Sequence, residues 1–287
     1  MSTGIKKRGG AVEAMRPLLR SVRRSPIGPY INIPRRAILA SSRLAPPLAR
    51  MAKWLLVSRE DTNFTYPLTD LNMLYLAHFI ALVVDRDIET VEGYFAEVAG
   101  DEHLRRHILE HVSRDRSNSD MRVDFGRRLG WYAITRALKP ELVIETGVDK
   151  GLGSVTLCAA LLKNGTGRFI GTDINPTAGR YLDGIYSEVG RIAYGDSIET
   201  LKGIDQPIDL FVNDSDHSAA YEAAEYVTVE NRLSPSALVI SDNANSTDAL
   251  AQWSRRHGRR FMFWREQPKD HWYPGEGIGI SVAPRSR

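Results

Sequence analysis

The sequence predicts an α/β fold, a mostly parallel sheet with helices on both faces, and three observations lead there. From residue 142 onward, short apolar runs alternate with helix-length amphipathic runs. The stretch VIETGVDKGLGS, residues 143–154, carries a strand into a helix through three glycines, which brings bare backbone close to whatever lies above the turn. Five successive strands end on polar residues, and in a parallel doubly wound sheet ligands sit beyond those carboxyl ends.

The first element is a basic arm. Residues 1–53 hold six prolines and twelve Lys or Arg against one acid, Glu13, a net of +11; the whole chain carries +3, so residues 54–287 carry −8. Such a segment cannot close a core and reads as an extended or partly helical, partly disordered arm with short helices near 11–22 and 36–44. Its charge suits an acidic membrane surface or an acidic partner better than nucleic acid, because aromatics that could stack on bases are almost absent. A solvated tail and an organellar transit peptide also stay open on composition. No apolar run reaches the ~20 residues of a membrane span.

Residues 54–119 form a helical extension. The run 71–84 is apolar over most of its circumference and predicts a buried helix, 87–98 an amphipathic one, and 103–112 a third. His103, His107 and His111 lie along one side of the third helix. That spacing can bind metal, but Arg105, Arg106 and the lack of a neighbouring carboxylate cluster favour a solvated histidine stripe.

Residues 120–287 form the main domain. A helix over 124–138 stops before Pro140. Strands 142–145, 168–172, 191–194, 208–213 and 237–241 then alternate with helices 152–163, 177–187, 197–202, 218–230 and 247–256. Strands 260–265 and 277–282 have no helix between them and predict an antiparallel edge. The single cysteine, Cys158, excludes an internal disulfide and a cysteine zinc site, and reads as a buried structural thiol. This fits a reducing cytoplasm, with the arm allowing a place at the membrane periphery.

The strand ends point to a ligand. Glu145 closes strand one, and Gly147, Gly151 and Gly153 follow at intervals of four and two, which is not the GxGxxG dinucleotide fingerprint. Asp173, at the end of strand two, is placed to accept both hydroxyls of a ribose; a cap before Asn175-Pro176 is the alternative. Asp196-Ser197 after strand three can meet a base edge or cap the next helix. Strand four ends in NDSDHS (213–218) and strand five in SDNANS (241–246).

In this order and at these intervals, ETGVDKGLGS, GTDIN, GDSIETL, FVNDSDHS and ISDNANS resemble a class I S-adenosylmethionine-dependent methyltransferase. More narrowly, they are similar to the metal-assisted small-molecule O-methyltransferases of the catechol and macrolide-sugar kind, over about residues 120–283. The resemblance implies a Rossmann-like seven-stranded sheet of order 3-2-1-4-5-7-6 and S-adenosyl-L-methionine as cofactor. It places Glu145, Gly147, Gly151, Gly153, Ser154, Asp173, Asp196, Ser197 and Asp214 in the cofactor site. Within that set, Glu145 and Gly147 meet the methionine part, Asp173 the ribose, and Asp196-Ser197 the adenine side.

Asp214, Asp242 and Asn243 offer two carboxylates and a carboxamide oxygen from adjacent strand ends, a hard-oxygen set that suits Mg²⁺ or a similar cation. The alternative is that they cap helices and hold loops. His217 is the candidate base for the acceptor hydroxyl and Asp216 the second; His217 can instead support the aspartates from behind. Lys150 reads as solvated. The loop 267–277, with His271, Trp272 and Tyr273, reads as a lid over the acceptor pocket. That loop and the helical extension depart from the catechol enzymes and favour a larger hydroxylated small molecule, such as a sugar, glycan or glycosylated natural product. The loop spacing, and the lack of a Tyr-x-x-x-Lys pair near strand five, disfavour an NAD-dependent oxidoreductase. Three converging ligands disfavour a non-catalytic module, and the charge of −8 disfavours nucleic acid. The sequence sets no oligomeric state.

Overall fold

A computed structural model describes residues 21–22, 24–61 and 64–284. The chain divides into two compact units, one ending at Leu56 and one beginning at Val57. In the first, a single turn, α1 (Gly28–Ile31), precedes the 25-residue α2 (Ile33–Val57). This helix extends well beyond the predicted 36–44 and runs through Pro46 and Pro47, each of which removes a backbone donor. None of its residues is buried, so Ile38, Leu39, Leu44 and Leu56 are exposed. The predicted helix near 11–22 lies outside the described residues except for its last two.

The second unit opens with α3 (Asp70–Val84), α4 (Ile88–Ala99) and α5 (Glu102–Arg114). Each starts at a side-chain cap: Thr69, Asp87 and Asp101 accept the amides of Asn72, Thr90 and Leu104. Helix α3 is only half buried. Leu76, Ala77, Ile80 and Val84 face the core, whereas Leu71, Tyr75 and Leu82 are exposed, contrary to its uniform apolarity. No helix among the described residues is long and apolar enough to cross a membrane. Of the histidines of α5, His103 is exposed, as a solvated stripe requires, whereas His107 and His111 are mostly covered, packing on residues 181–183. Helix α6 (Arg128–Leu138) packs against α3, α4 and the helix that follows the glycine turn.

The sheet comprises β1 (Leu142–Thr146), β2 (Arg168–Asp173), β3 (Gly190–Tyr194), β4 (Ile208–Asn213), β5 (Leu233–Ser241), β6 (Arg260–Arg265) and β7 (Gly277–Val282). Its order is β3-β2-β1-β4-β5-β7-β6, as the resemblance implies. The first five strands are parallel, and β7 runs antiparallel to both β5 and β6. Helices α7 (Leu152–Asn164), α8 (Ser197–Lys202), α9 (Ala219–Val229) and α10 (Ala249–Arg256) make the crossovers.

Alternation along the strands supplies two cores. Val143, Leu210, Val212 and Ile240 join the layer formed by the extension, α6 and α7. Ile144, Phe211 and Val239 join Leu201, Tyr226 and Trp253 of α8, α9 and α10. All five residues of β1 are buried, as a central parallel strand covered on both faces requires. Three further elements differ from expectation. Helix α6 begins at Arg128, four residues late. The helix predicted over 177–187 is only a 3-10 turn, Gly184–Glu188, because Gly179 and Gly184 take positive φ. Strand β5 begins at Leu233, four residues early.

Candidate active site

The carboxyl ends of β1 to β5 open on a cavity of about 600 Å³. It lies where the strand order reverses beside β1, the switch point of a doubly wound sheet. Glu145, Gly147, Gly153, Asp173, Asp196, Ser197, Asp214, Asp216, His217, Asp242 and Asn243 all line it. Gly151 and Ser154 do not. Gly151 (φ 94°) is the N-cap of α7, and Ser154 stands behind the wall, donating its hydroxyl to Glu145.

The glycine turn is shaped by what touches it. A Cβ on Gly147 (φ 81°) would lie 2.0 Å from the Asp214 carbonyl, so only glycine lets the ends of β1 and β4 meet. A Cβ on Gly153 would lie 2.2 Å from Glu145 Oε1. Glu145 itself is buried, and burial pushes its pKa up to about 8. Asp242 and Asp173 push the same way, while the Ser154 hydrogen bond and Arg128 oppose them. A carboxyl so poised ionises when a cation arrives beside it.

Asp173 serves the protein before any ligand. Its Oδ2 accepts Val148 N at 3.0 Å and Asp149 N at 2.9 Å, and its Oδ1 accepts Asn175 N at 2.8 Å. Of roughly four acceptor positions on a carboxylate, three are taken, which leaves about one for a hydroxyl. Asp196 caps α8 through Glu199 N at 3.1 Å and accepts the Tyr221 hydroxyl at 3.1 Å. The Ser197 hydroxyl donates to buried Glu225. Lys150 is tied rather than solvated: its Nζ donates to the Asn118 carbonyl at 2.6 Å.

At the other end of the cavity, Asp214, Asp242, Asn243 and His217 converge. Asp242 is buried and accepts both Nε and Nη2 of Arg127, whose Nη1 donates to Glu266 Oε1 and to the Tyr66 hydroxyl, each at 2.9 Å. Burial opposes the charge on Asp242, but Arg127 outweighs it and holds the pKa below the ordinary value. Asp214 is forced the other way, well above its ordinary value, by burial and then by the negative charge of Asp242. Asn243, in the left-handed region at φ 51°, donates Nδ2 to His217 Nε2 at 3.0 Å, and its buried Oδ1 has no hydrogen-bond partner. His217 Nε2 is 3.6 Å from Asp214 Oδ1, and its Nδ1 is 3.9 Å from Glu222 Oε1. The Glu222 carboxylate raises the His217 pKa, against the opposing effect of burial. Asp216 is exposed and accepts the amide of Ser218.

This donor set fits a hard divalent cation. Two carboxylates that repel each other, an unmet carboxamide oxygen and an imidazole stand together, with ligand atoms of Asp214, His217 and Asp242 within 4.8 Å of one another. Arg127 uses one acceptor position on each Asp242 oxygen and leaves the others.

Sequence reasoning missed the residues that sustain this cluster: Arg127, Glu266, Tyr66 and Glu222. The available signal was electrostatic, since buried acids at two strand ends require a buried cation, and Arg127 stands at the N-cap of α6, the helix before β1. The loop 267–277 also departs from its expected role. His271, Trp272 and Tyr273 pack on Phe64 at ring-centroid distances of 5.5, 5.4 and 5.3 Å. None of the three is on the cavity wall, whereas Phe64 is. Aromatic burial against the start of the extension explains the difference.

A family model described as a methyltransferase domain matches residues 144–244, a span that contains every site residue read from the sequence. No curated protein matches the chain in sequence. Among solved structures, cofactor-bound Rv0187 from MTB is 14% identical with a TM-score of 0.51, over 66% of this chain and 93% of that one. An O-methyltransferase from Bacillus cereus in complex with SAH is 12% identical with a TM-score of 0.50, over 68% of this chain and 97% of that one. At such identity the likeness is one of fold.

Proposed function

We propose that the chain is a class I S-adenosylmethionine-dependent methyltransferase that methylates a hydroxyl oxygen of a small molecule, with a divalent cation at Asp214, Asp242 and Asn243. The observation that carries the reading is the continuity of one cavity from Glu145 and Asp173 to Asp214, Asn243 and His217.

The cofactor supplies a methyl group on a sulfonium, which leaves as a neutral thioether. The cation supplies Lewis acidity that lowers the pKa of an acceptor hydroxyl. Glu145 meets the ammonium of the methionine part, and Asp173 meets the ribose with its remaining acceptor position. His217 takes the acceptor proton on Nε2 after that nitrogen releases the Asn243 amide it holds at rest, and Glu222 stabilises the resulting imidazolium. Asp216, exposed at the rim, is the second candidate base. Arg127 fixes Asp242 in the orientation the site requires.

The acceptor is a hydroxylated molecule larger than a catechol, such as a sugar, glycan or glycosylated natural product. Phe64, Ile108 and Val112 of the extension extend the wall with an apolar face suited to a ring. In this reading residues 120–287 do the chemistry, 54–119 cap the acceptor side, and 1–53 are a basic arm. Helix α2 has Arg35, Arg36, Arg43, Arg50 and Lys53, no acid, and an exposed apolar face, which suits the surface of an acidic membrane at the cytoplasmic side.

The test is a titration of S-adenosylmethionine and of NAD into the purified chain, with Mg²⁺ or with EDTA. Binding of S-adenosylmethionine alone is expected. Binding of NAD alone would overturn the reading, and turnover of an identified acceptor unchanged in EDTA would remove the cation.

A further inference from the structure

We infer that His107, His111, Asp183 and the carbonyl of Tyr181 form a second cation site, for zinc or a comparable borderline transition-metal ion, which clamps α5 to the loop after β2. His107 and His111 stand one helical turn apart, so both rings project from the same face of α5. Their Nε2 atoms meet one carboxylate oxygen, Asp183 Oδ1, at 3.4 and 3.0 Å. The Tyr181 carbonyl lies 2.8 Å from His107 Nε2. Zinc bonds of about 2.0 Å place neighbouring ligand atoms of a tetrahedron about 3.3 Å apart, and these three separations bracket that value. The histidine side chains are 13% and 12% exposed, whereas Asp183 is 56% exposed, which leaves an open side for an ion to enter. His103, one turn earlier, is engaged elsewhere, 3.2 Å from the Tyr186 hydroxyl.

The chemistry of the donors separates this site from the one in the cavity. Two imidazoles favour zinc-type ions, whereas two carboxylates and a carboxamide favour Mg²⁺. Binding requires both rings neutral with hydrogen on Nδ1, so the Nε2–H that His107 directs at the Tyr181 carbonyl and the one that His111 directs at Asp183 must both shift to the other nitrogen. The consequence is local stiffening. Ile108 and Val112 of α5, and Tyr181 itself, line the cavity, so an ion here would fix its outer wall without touching the reacting groups.

The experiment uses the full chain stripped of metal by a chelator, with Zn²⁺ followed by calorimetry and Co²⁺ by visible absorption. The Asp214→Asn variant, which disables the cavity site, is expected to keep one zinc equivalent and a tetrahedral Co²⁺ spectrum. His111→Gln and His107→Gln are each expected to weaken zinc more than about tenfold and to lose that spectrum, with S-adenosylmethionine affinity unchanged. Zinc should raise the melting temperature of the wild type and of Asp214→Asn, but not of either histidine variant. Equal zinc affinity in wild type and His111→Gln, or loss of the Co²⁺ spectrum in Asp214→Asn alone, would overturn the proposal. Neither result depends on methyl transfer, so the assignment of the cavity could fail while this site survives.

Discussion

The two walls of the cavity come from regions organised in different ways. The sheet wall takes its functional groups from the ends of adjacent parallel strands, so Glu145, Asp173, Asp196, Asp214 and Asp242 arrive together because their strands do. The opposite wall comes from helices and loops between 57 and 128, and there each contact is an individual long-range pairing: Arg127 with Asp242, Tyr66 with Arg127, Phe64 with the 271–273 aromatics. Strand order delivers groups to a site. Side-chain pairing decides which charge states those groups can hold once they are there.

The sharpest way to break that contrast is to remove the most buried charged side chain that joins the walls. Arg127→Met leaves Asp242 and Glu266 buried without their cation, which is expected to cost about 3–5 kcal/mol of stability, measured by urea unfolding. If Arg127→Met unfolds at the wild-type midpoint, the paired wall is dispensable and the contrast fails. The next effect acts on chemistry alone. Asp214→Asn keeps the shape of the β4 end but removes a carboxylate from the proposed cation site. Single-turnover methyl transfer is expected to fall about 100-fold or more, with S-adenosylmethionine affinity within about threefold of wild type.

The same contrast explains what was legible in the sequence. The sheet order, both of its covered faces and the five polar strand ends follow from a repeating local pattern, in which a period of two gives way to 3.6 and glycine marks the turn. The histidines of α5 show the limit of such reading. Their spacing was visible, but the carboxylate beside them, Asp183, comes from a loop 72 residues beyond His111, and no local pattern connects the two. Helix α3 failed for a related reason. Uniform apolarity told that it could be buried anywhere, and only its packing on α4 and α6 decided which side is. The 3-10 turn at Gly184–Glu188 was misread because glycines at 179 and 184 interrupt a helical pattern that its other residues support.

A smaller effect tests whether a strand-end residue acts through the turn it supports. Asp173 holds the amides of Val148 and Asp149 as well as any ribose. Asp173→Asn is therefore expected to weaken S-adenosylmethionine about tenfold, with faster amide exchange confined to 147–151. Loss of affinity without any change in the glycine turn would separate the two roles.

The smallest expected effect is a pH dependence at Glu145. Its carboxyl, with a pKa near 8 in the ligand-free protein, is mostly protonated at pH 7. An ammonium bound beside it favours the ionised form and lowers that pKa, so binding releases a proton wherever the free protein still holds one. The ligand's own α-ammonium loses its proton near pH 8, so affinity is expected to rise about two- to threefold between pH 7 and pH 8 and to fall above that. Calorimetry in buffers of different ionisation enthalpy reads the released proton directly. Glu145→Gln, which cannot ionise, should bind more weakly at pH 8 and show no rise over that interval. A rise that survives in Glu145→Gln would move the titrating group elsewhere on the sheet wall. A fall across the whole interval in the wild type would mean that Glu145 is already ionised at pH 7.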